Sequence, residues 1–550
     1  MSNWWKVLPA FWRPLVSSVR MSSEDPTEAW SPSGWYSAAR AGGEKSEEFM
    51  FDVLVVGGGP AGVTAALRAS ELGAKVALVE RDRLGGTCTN DGCVPTRVLA
   101  RAARLKREAE QFEDYGFTAS GLDLDFSRLL ARTQQIVYRI HEKKQLISHL
   151  QEAGVSVYAR VGAAQFEDAH TLALPDGTRL QAEKIILCAG GRARRLSFPG
   201  SEHALTHSDV WTLPKLPGSV AIIGGAATGS QLASIFATFG SKVWLLEISP
   251  RLLAMEDALV SEVIEDSFVN KGIEVITGIG GVERIEASPP GFELHYTQQG
   301  EPQHITVEHV LMASGWPGNA DGLNLPAAGV ESERGYVVVD EYLRTTSPHI
   351  FAAGDLTGRM MLVQSAGYEA RVAAENAVLG VGLPYSHDIV PHGGFTDPEY
   401  GSVGLTEARA RALEPGCLVS LVPYADLDRA VIDDHPVGFC KLIVSQETHR
   451  ILGAHVVGEQ ALEVIQLVAA SMTGDMWVEQ LAELELAYPT YTAIIGLAAR
   501  QLVRELGVMP LTPQWRALGK PHAAEWERSE AGDNRPAGPY SGPGSREERG

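Results

Sequence analysis

Residues 50–86 read MFDVLVVGGGPAGVTAALRASELGAKVALVERDRLGG, and they decide the fold class. FDVLVV has the character of a short buried strand and GGGPAG that of a turn. VTAALRASELG has helical spacing and ends at Gly73, and KVALVE is a second strand closing on Glu80. Gly57, Gly59 and Gly62 stand in G-x-G-x-x-G positions. Glycines there permit a tight turn and let backbone amides approach a pyrophosphate at the helix N-terminus. Glu80, 18 residues past Gly62, is placed to accept hydrogen bonds from a ribose. Strand, turn, helix, strand and acid in this order predict a βαβ dinucleotide-binding unit.

The same unit returns at residues 218–253, GSVAIIGGAATGSQLASIFATFGSKVWLLEISPRLL. Gly224, Ala226 and Gly229 take the three fingerprint positions, and Glu247 ends the second strand. Alanine at the middle position still leaves little bulk near a phosphate. Glu247 would bond a ribose 2′-hydroxyl and repel a 2′-phosphate, which favours NADH over NADPH. The plainer reading is a βαβ unit without a nucleotide. Two dinucleotide units in one chain suggest two dinucleotides, one held and one exchanged.

A chain of 550 residues is too long for one core, so two to four domains are expected. The formal net charge of −21 argues against nucleic acid as a partner, because phosphates would be repelled. No run of about 18 apolar residues appears, so no transmembrane segment is expected. Residues 1–49 hold five of the eleven tryptophans. They read as an N-terminal extension, disordered or a mis-start, against the sharper reading of a membrane-surface or targeting segment. Residues 508–550, rich in Pro, Gly and charge, read as a disordered tail.

The chain has five cysteines, of which Cys188, Cys417 and Cys440 are isolated. That usage suits a reducing, cytoplasmic compartment, where a close pair is more often catalytic or metal-binding than structural. The pair is Cys88 and Cys93, within GGTCTNDGCVPTRVLARAAR at residues 85–104. A C-x4-C spacing fits half of a zinc site, a structural disulfide or a redox pair. Zinc would need two further ligands at short spacing, and the sequence offers none, so no metal site is expected. A pair at a helix start can close to disulfide distance, and the helix N-terminus favours thiolate. Helices are predicted over TRVLARAARLKREAEQF and, as one long element, FSRLLARTQQIVYRIHEKKQLISHLQEAG. PHIFAAGDL places Asp355 at a strand end, and from about residue 386 the chain reads as a sheet with helices and no nucleotide fingerprint.

Taken in order, VVGGGPAG, GGTCTNDGCVPTRVL, IILCAGG, AIIGGAATG, SPHIFAAGDL, FTDPEYGSVGLTE and ILGAHVVG resemble the flavoprotein pyridine nucleotide–disulfide oxidoreductases, class I. Dihydrolipoamide dehydrogenase, glutathione reductase and mercuric reductase belong to that class. The resemblance runs from about residue 50 to 507. It implies an α/β fold with two Rossmann-like domains and a C-terminal α+β dimerisation domain. The expected division is an FAD-binding domain at 50–195 and 318–385, an NAD(P)-binding domain at 196–317, and an interface domain at 386–507 that forms a homodimer. The resemblance places FAD on Gly57, Gly59, Pro60, Ala61, Gly62, Glu80, Gly86, Thr87, Gly190 and Asp355. It places the nicotinamide dinucleotide on Gly224, Gly229, Gln231, Glu247 and Gly315. Electrons would run from NADH through FAD to a Cys88–Cys93 disulfide, with Cys93 against the flavin and Cys88 attacking the acceptor.

The chain departs from the family pattern at four positions. Tyr488 stands where disulfide-reducing members carry a histidine base, and Ala493 where they carry its glutamate. Tyrosine, with a pKa near 10, is a poor base at neutral pH. Arg97 and Gln231 replace a Lys–Glu pair beside the flavin, so Arg97 is expected to lack its acidic partner. Mercuric reductase does without the histidine, because a soft metal ion needs thiolates and not a proton shuttle. Its usual C-terminal cysteine pair is absent here. The expected activity is therefore mercuric reductase-like, toward a metal ion or another non-lipoamide acceptor. Dihydrolipoamide dehydrogenase, a diaphorase or NADH oxidase, and a low-turnover binding subunit are the alternatives. Cys88, Cys93, Arg97 and Tyr488 are the candidate catalytic residues.

Overall fold

The computed structural model describes residues 50–118, 123–380 and 382–507. The readings made for 1–49 and 508–550 lie outside the described residues. Strand β1 (Phe51–Val56) leads through a glycine turn into helix α1 (Pro60–Glu71) and strand β2 (Val76–Glu80). Both strands are almost wholly buried, as expected of parallel strands covered on both faces. The sheet runs Ser156–Ala159, β2, β1, Arg179–Leu187, all parallel, and Ile350–Ala352 adds to the far side of Arg179–Leu187. Asp355 follows that last strand, so a residue 275 positions from Glu80 arrives at the same carboxyl edge.

A second parallel sheet has the order Glu274–Ile276, Lys242–Leu246, Ser219–Ile223, His309–Met312, Leu205–Thr206. The strand order reverses beside Ser219–Ile223, the strand that feeds the second glycine turn. An antiparallel three-stranded meander, 279–307, is spliced in before the sheet's fourth strand. The C-terminal part is a five-stranded antiparallel sheet covered by helices Ala461–Thr473 and Ala493–Glu505. Val464, Ile465, Val468, Ile494, Leu497, Ala498 and Leu502 close its core at helical spacing. Cys440 lies in this core, where burial pushes its thiol up to about 12 and removes it from exchange chemistry.

Local outcomes differ from the sequence reading in two places. The long helix read over 126–154 is two, Phe126–Lys144 and Leu146–Glu152, because Gln145 takes a left-handed conformation (φ 42°) that ends one helix and starts the next. The helix read from Thr96 begins three residues earlier, at Cys93.

Candidate active site

The two glycine turns are built alike. A Cβ on Gly62 would stand 1.7 Å from the Gly57 carbonyl oxygen, and one on Gly229 would stand 1.7 Å from that of Gly224. In each turn the acid that ends the second strand is held by the turn itself. Gly58 N donates to Glu80 Oε2 at 2.6 Å and Asp82 N to Oε1 at 2.8 Å. Gly225 N donates to Glu247 Oε2 at 2.6 Å and Ser249 N to Oε1 at 2.8 Å. Both carboxylates keep free lone pairs for ribose hydroxyls. Neither Gly59 nor Ala226, the residues preceding the two helices, supplies a side-chain cap. The first amides of both helices, past the N–H-less Pro60 at Ala61 in the first, are therefore open to phosphate. Two turns of this construction fit two dinucleotides.

The redox loop is set against the first turn. Gly86 and Gly59 approach so closely that a Cβ on Gly86 would stand 2.7 Å from Gly59 Cα. A short helix α2 (Gly86–Asn90) carries Thr87 and Cys88, and a long helix α3 (Cys93–Glu110) starts with Cys93 at its first position. Both cysteines are thiols here. The Cys88 thiol donates to the Cys93 sulfur. This hydrogen bond pulls the Cys93 thiol down to about 7, helped by its own backbone amide and opposed by burial. The same bond, with burial added, pushes Cys88 up. The shared hydrogen bond thus favours thiolate on Cys93 over Cys88.

Asp355 faces this pair closely enough to raise both thiols by its charge. Burial raises its own carboxyl, offset in part by Trp316 Nε1, which donates to Oδ2 at 2.9 Å. Beside it Gly354 N donates to the fully buried Glu369, whose other oxygen is 2.7 Å from His387 Nε2. Gly190 follows the strand Arg179–Leu187, and its carbonyl accepts from Asn319 N at 2.9 Å. Gly315 follows His309–Met312, and its carbonyl accepts from Arg194 N at 3.0 Å.

Arg97 does not lack an acid. Its Nη1 donates to Glu399 Oε1 at 2.6 Å, and its guanidinium lies over the Phe395 ring, 4.6 Å from the centroid. The expectation of a lost partner at Gln231 is corrected: the acid comes from the C-terminal part, 302 residues away. Gln231 instead accepts from Phe395 N at 3.0 Å and donates to Ala227 O at 2.8 Å. Arg104, two turns further along α3, donates to the same Glu399 oxygen at 2.6 Å. Arg107 pairs with Glu459 at 2.6 Å and with Asp397. Glu399 is buried, and Glu399→Ala would leave Arg97 without a carboxylate and Arg104 with only Glu459, at 3.3 Å. We expect a loss of about 1 to 3 kcal/mol, because Arg97 is partly solvated and Arg104 keeps Glu459, read as a lowered midpoint in denaturant melts. Arg97→Ala, which leaves Arg104 on the carboxylate, should cost less.

Sequence reasoning also missed Asp91, which lies between the cysteines. Burial raises its carboxyl, but hydrogen bonds outweigh this and hold it low: His207 Nε2 at 3.1 Å, Ser208 Oγ at 2.6 Å and Trp211 Nε1 at 2.9 Å. The cysteine loop is thereby tied to residues 207–211, which directly follow Leu205–Thr206, the edge strand of the second sheet. Tyr488, by contrast, is half exposed and hydrogen-bonded to Asp428.

Comparison with known proteins agrees with this geometry. Residues 51–370 match the family described as pyridine nucleotide-disulphide oxidoreductase, and residues 390–499 match its dimerisation domain. The chain belongs to this family. It is 32% identical over 453 residues to a mercuric reductase of Bacillus cereus, covering 82% of this chain and 71% of that protein. It is 33% identical over 468 residues to a dihydrolipoyl dehydrogenase of Chlorobaculum parvum, covering 84% of this chain and 99% of that one. Among solved structures, the Cu(II) complex of the HOCl-induced flavoprotein disulfide reductase RclA from Escherichia coli superposes with a TM-score of 0.74. Its identity is 28%, over 83% of this chain and 100% of that one. The protein is accordingly an FAD- and pyridine nucleotide-dependent oxidoreductase of the disulfide class. No described helix is long and apolar enough to cross a membrane.

Proposed function

We propose that the protein is a homodimeric, NADH-dependent reductase whose Cys88–Cys93 pair delivers electrons to a thiolate-seeking metal ion, in the manner of a mercuric reductase. The observation that carries the reading is the hydrogen-bonded pair of free thiols, Cys88 and Cys93, with tyrosine and not histidine at position 488. A disulfide substrate must be attacked by a thiolate and its leaving sulfur protonated, so it needs a base that accepts and returns that proton. A soft metal ion needs no such group, because coordination itself displaces thiol protons. The neighbouring structure solved with Cu(II) is consistent with metal ions reaching proteins of this fold. FAD, when bound at the Gly57–Gly62 turn, supplies two-electron exchange between pyridine nucleotide and the cysteine pair. Glu247 and the uncapped helix Ala227–Phe239 would hold NADH, and the fixed carboxylate disfavours a 2′-phosphate. The match to a dimerisation domain supports the homodimer.

Dihydrolipoamide dehydrogenase is the second reading, favoured by the match along 99% of such a relative. Anaerobic reduction by NADH followed by assay with mercuric ion, lipoamide, oxygen and quinone separates the two. Mercuric ion should turn over about 10²-fold faster than lipoamide, the worth of the missing base. Lipoamide turnover as fast as that with mercuric ion, and equal in wild type and Tyr488→Phe, would overturn the metal reading.

A further inference from the structure

Loop 192–195 and the end of the strand Leu205–Thr206 line an open cleft. Its charge has the opposite sign to that of the molecule. In a chain of net charge −21, the cleft gathers Arg192, Arg194 and Arg195 against Asp209. Two of the three arginines are engaged. Arg192 Nη2 donates to Asp321 at 2.6 Å and its Nη1 to Gly318 O at 3.0 Å. Arg195 donates to Ala204 O at 2.9 Å and to Asp209 at 3.3 Å. The Arg194 guanidinium has no hydrogen bond or ion pair among the described residues. It lies over Gly315, with Nε 3.4 Å from where a Cβ on that residue would stand.

The position of this free cation follows from the strand order. Doubly wound sheets take a dinucleotide outside the carboxyl ends of their strands, where the order reverses. Here the reversal lies between Ser219–Ile223 and His309–Met312. Glu247, at the end of Lys242–Leu246, marks the adenosine side. The uncapped helix Ala227–Phe239 marks the pyrophosphate. The nicotinamide half must then run the other way, across the end of His309–Met312 toward Leu205–Thr206. That path passes Gly315, and it leads to Trp316 and the Asp355 it bonds.

We propose that Arg194 clamps the nicotinamide-side phosphate of the pyridine dinucleotide. The inference rests on the NADH-dependent reading above. A guanidinium suits the task because its fork matches two phosphate oxygens. The opposite wall at Gly315 carries no side chain to obstruct it.

The test uses the FAD-loaded enzyme and binding calorimetry with NAD⁺, nicotinamide mononucleotide, AMP and inorganic pyrophosphate. Arg194→Ala should weaken NAD⁺ and nicotinamide mononucleotide about 10-fold, the worth of one charge-assisted contact, and leave AMP unchanged. Arg194→Lys should recover part of the loss. The KM for NADH should rise in parallel while kcat stays within about twofold, as expected for uniform binding. If wild type binds NAD⁺ and the alanine variant binds NAD⁺ and the mononucleotide equally well, the clamp is wrong and the NADH reading stands. If only pyrophosphate is weakened, the cleft takes a free anion and the assignment to the dinucleotide falls. If wild type binds no NAD⁺, both readings fall together.

Discussion

In the reduced protein, one thiol should react with iodoacetamide with a midpoint near pH 7, and Cys93→Ser should remove that titration. The expectation follows from the shared hydrogen bond. Cys93 stands at the first position of an 18-residue helix, where the amide dipoles favour negative charge. It accepts the Cys88 thiol as a donor, and the two effects outweigh burial to bring it to about 7. The sign is that of an acid stabilised in its charged form: alkylation rises through pH 7 and then levels. Cys88→Ser keeps a donor hydroxyl, so the low midpoint should survive in that variant. Both variants should lose NADH-dependent turnover with mercuric ion by on the order of 10³-fold or more, since each removes one partner of a unit that acts together. Retention of turnover within about twofold in Cys88→Ser would show that electrons bypass the pair. The remaining cysteines cannot substitute, because Cys188, Cys417 and Cys440 are all buried and burial pushes their thiols up.

What was readable in the sequence was local. Each glycine turn and its acid lie within one βαβ unit, and the cysteine pair lies within one loop. Their spacing predicts the two turns, and for the cysteine pair it leaves three readings that the family resemblance narrows to a redox pair. The partners that set the electrostatics of the site are distant in the chain. Glu399 reaches Arg97 across 302 positions, and His207 reaches Asp91 across 116. Such contacts carry no periodicity and no fixed offset. A carboxylate that completes an ion pair looks like any surface acid until the fold brings it there. Arg97 illustrates the cost of reasoning from a missing neighbour: Gln231 does replace an acid, yet Glu399 supplies one from another part of the chain. The break at Gln145 was hidden for another reason. The apolar stripe continues through it, and nothing in glutamine's own propensity requires a left-handed residue there.

The two turns should be separable by one substitution each. Gly229→Val should yield a protein that retains FAD but is reduced by NADH at least about 10²-fold more slowly, measured as flavin bleaching in an anaerobic stopped-flow mixer. Gly62→Val should emerge without FAD. Both follow from one number, the 1.7 Å between a Cβ at either glycine and the carbonyl of the turn's first glycine. No Cβ fits there, so the helix must withdraw from the strand. The amides aimed at the phosphates move with it, and positioning errors of about 1 Å cost on the order of 10²-fold. The consequences differ if, as proposed, the first turn holds FAD and the second an exchanged pyridine dinucleotide. The first turn is wrapped by the cysteine loop through the Gly59–Gly86 approach. Disturbing it unseats the resident cofactor and with it the frame around the cysteines. On the reading proposed above the second turn serves a ligand that comes and goes, although its sheet shares a core with Leu99 and Ala103 of α3. Dithionite should therefore still bleach the flavin of Gly229→Val and expose both redox thiols. A Gly229→Val protein that accepts electrons from NADH at the wild-type rate would place the nicotinamide dinucleotide elsewhere than on the second turn.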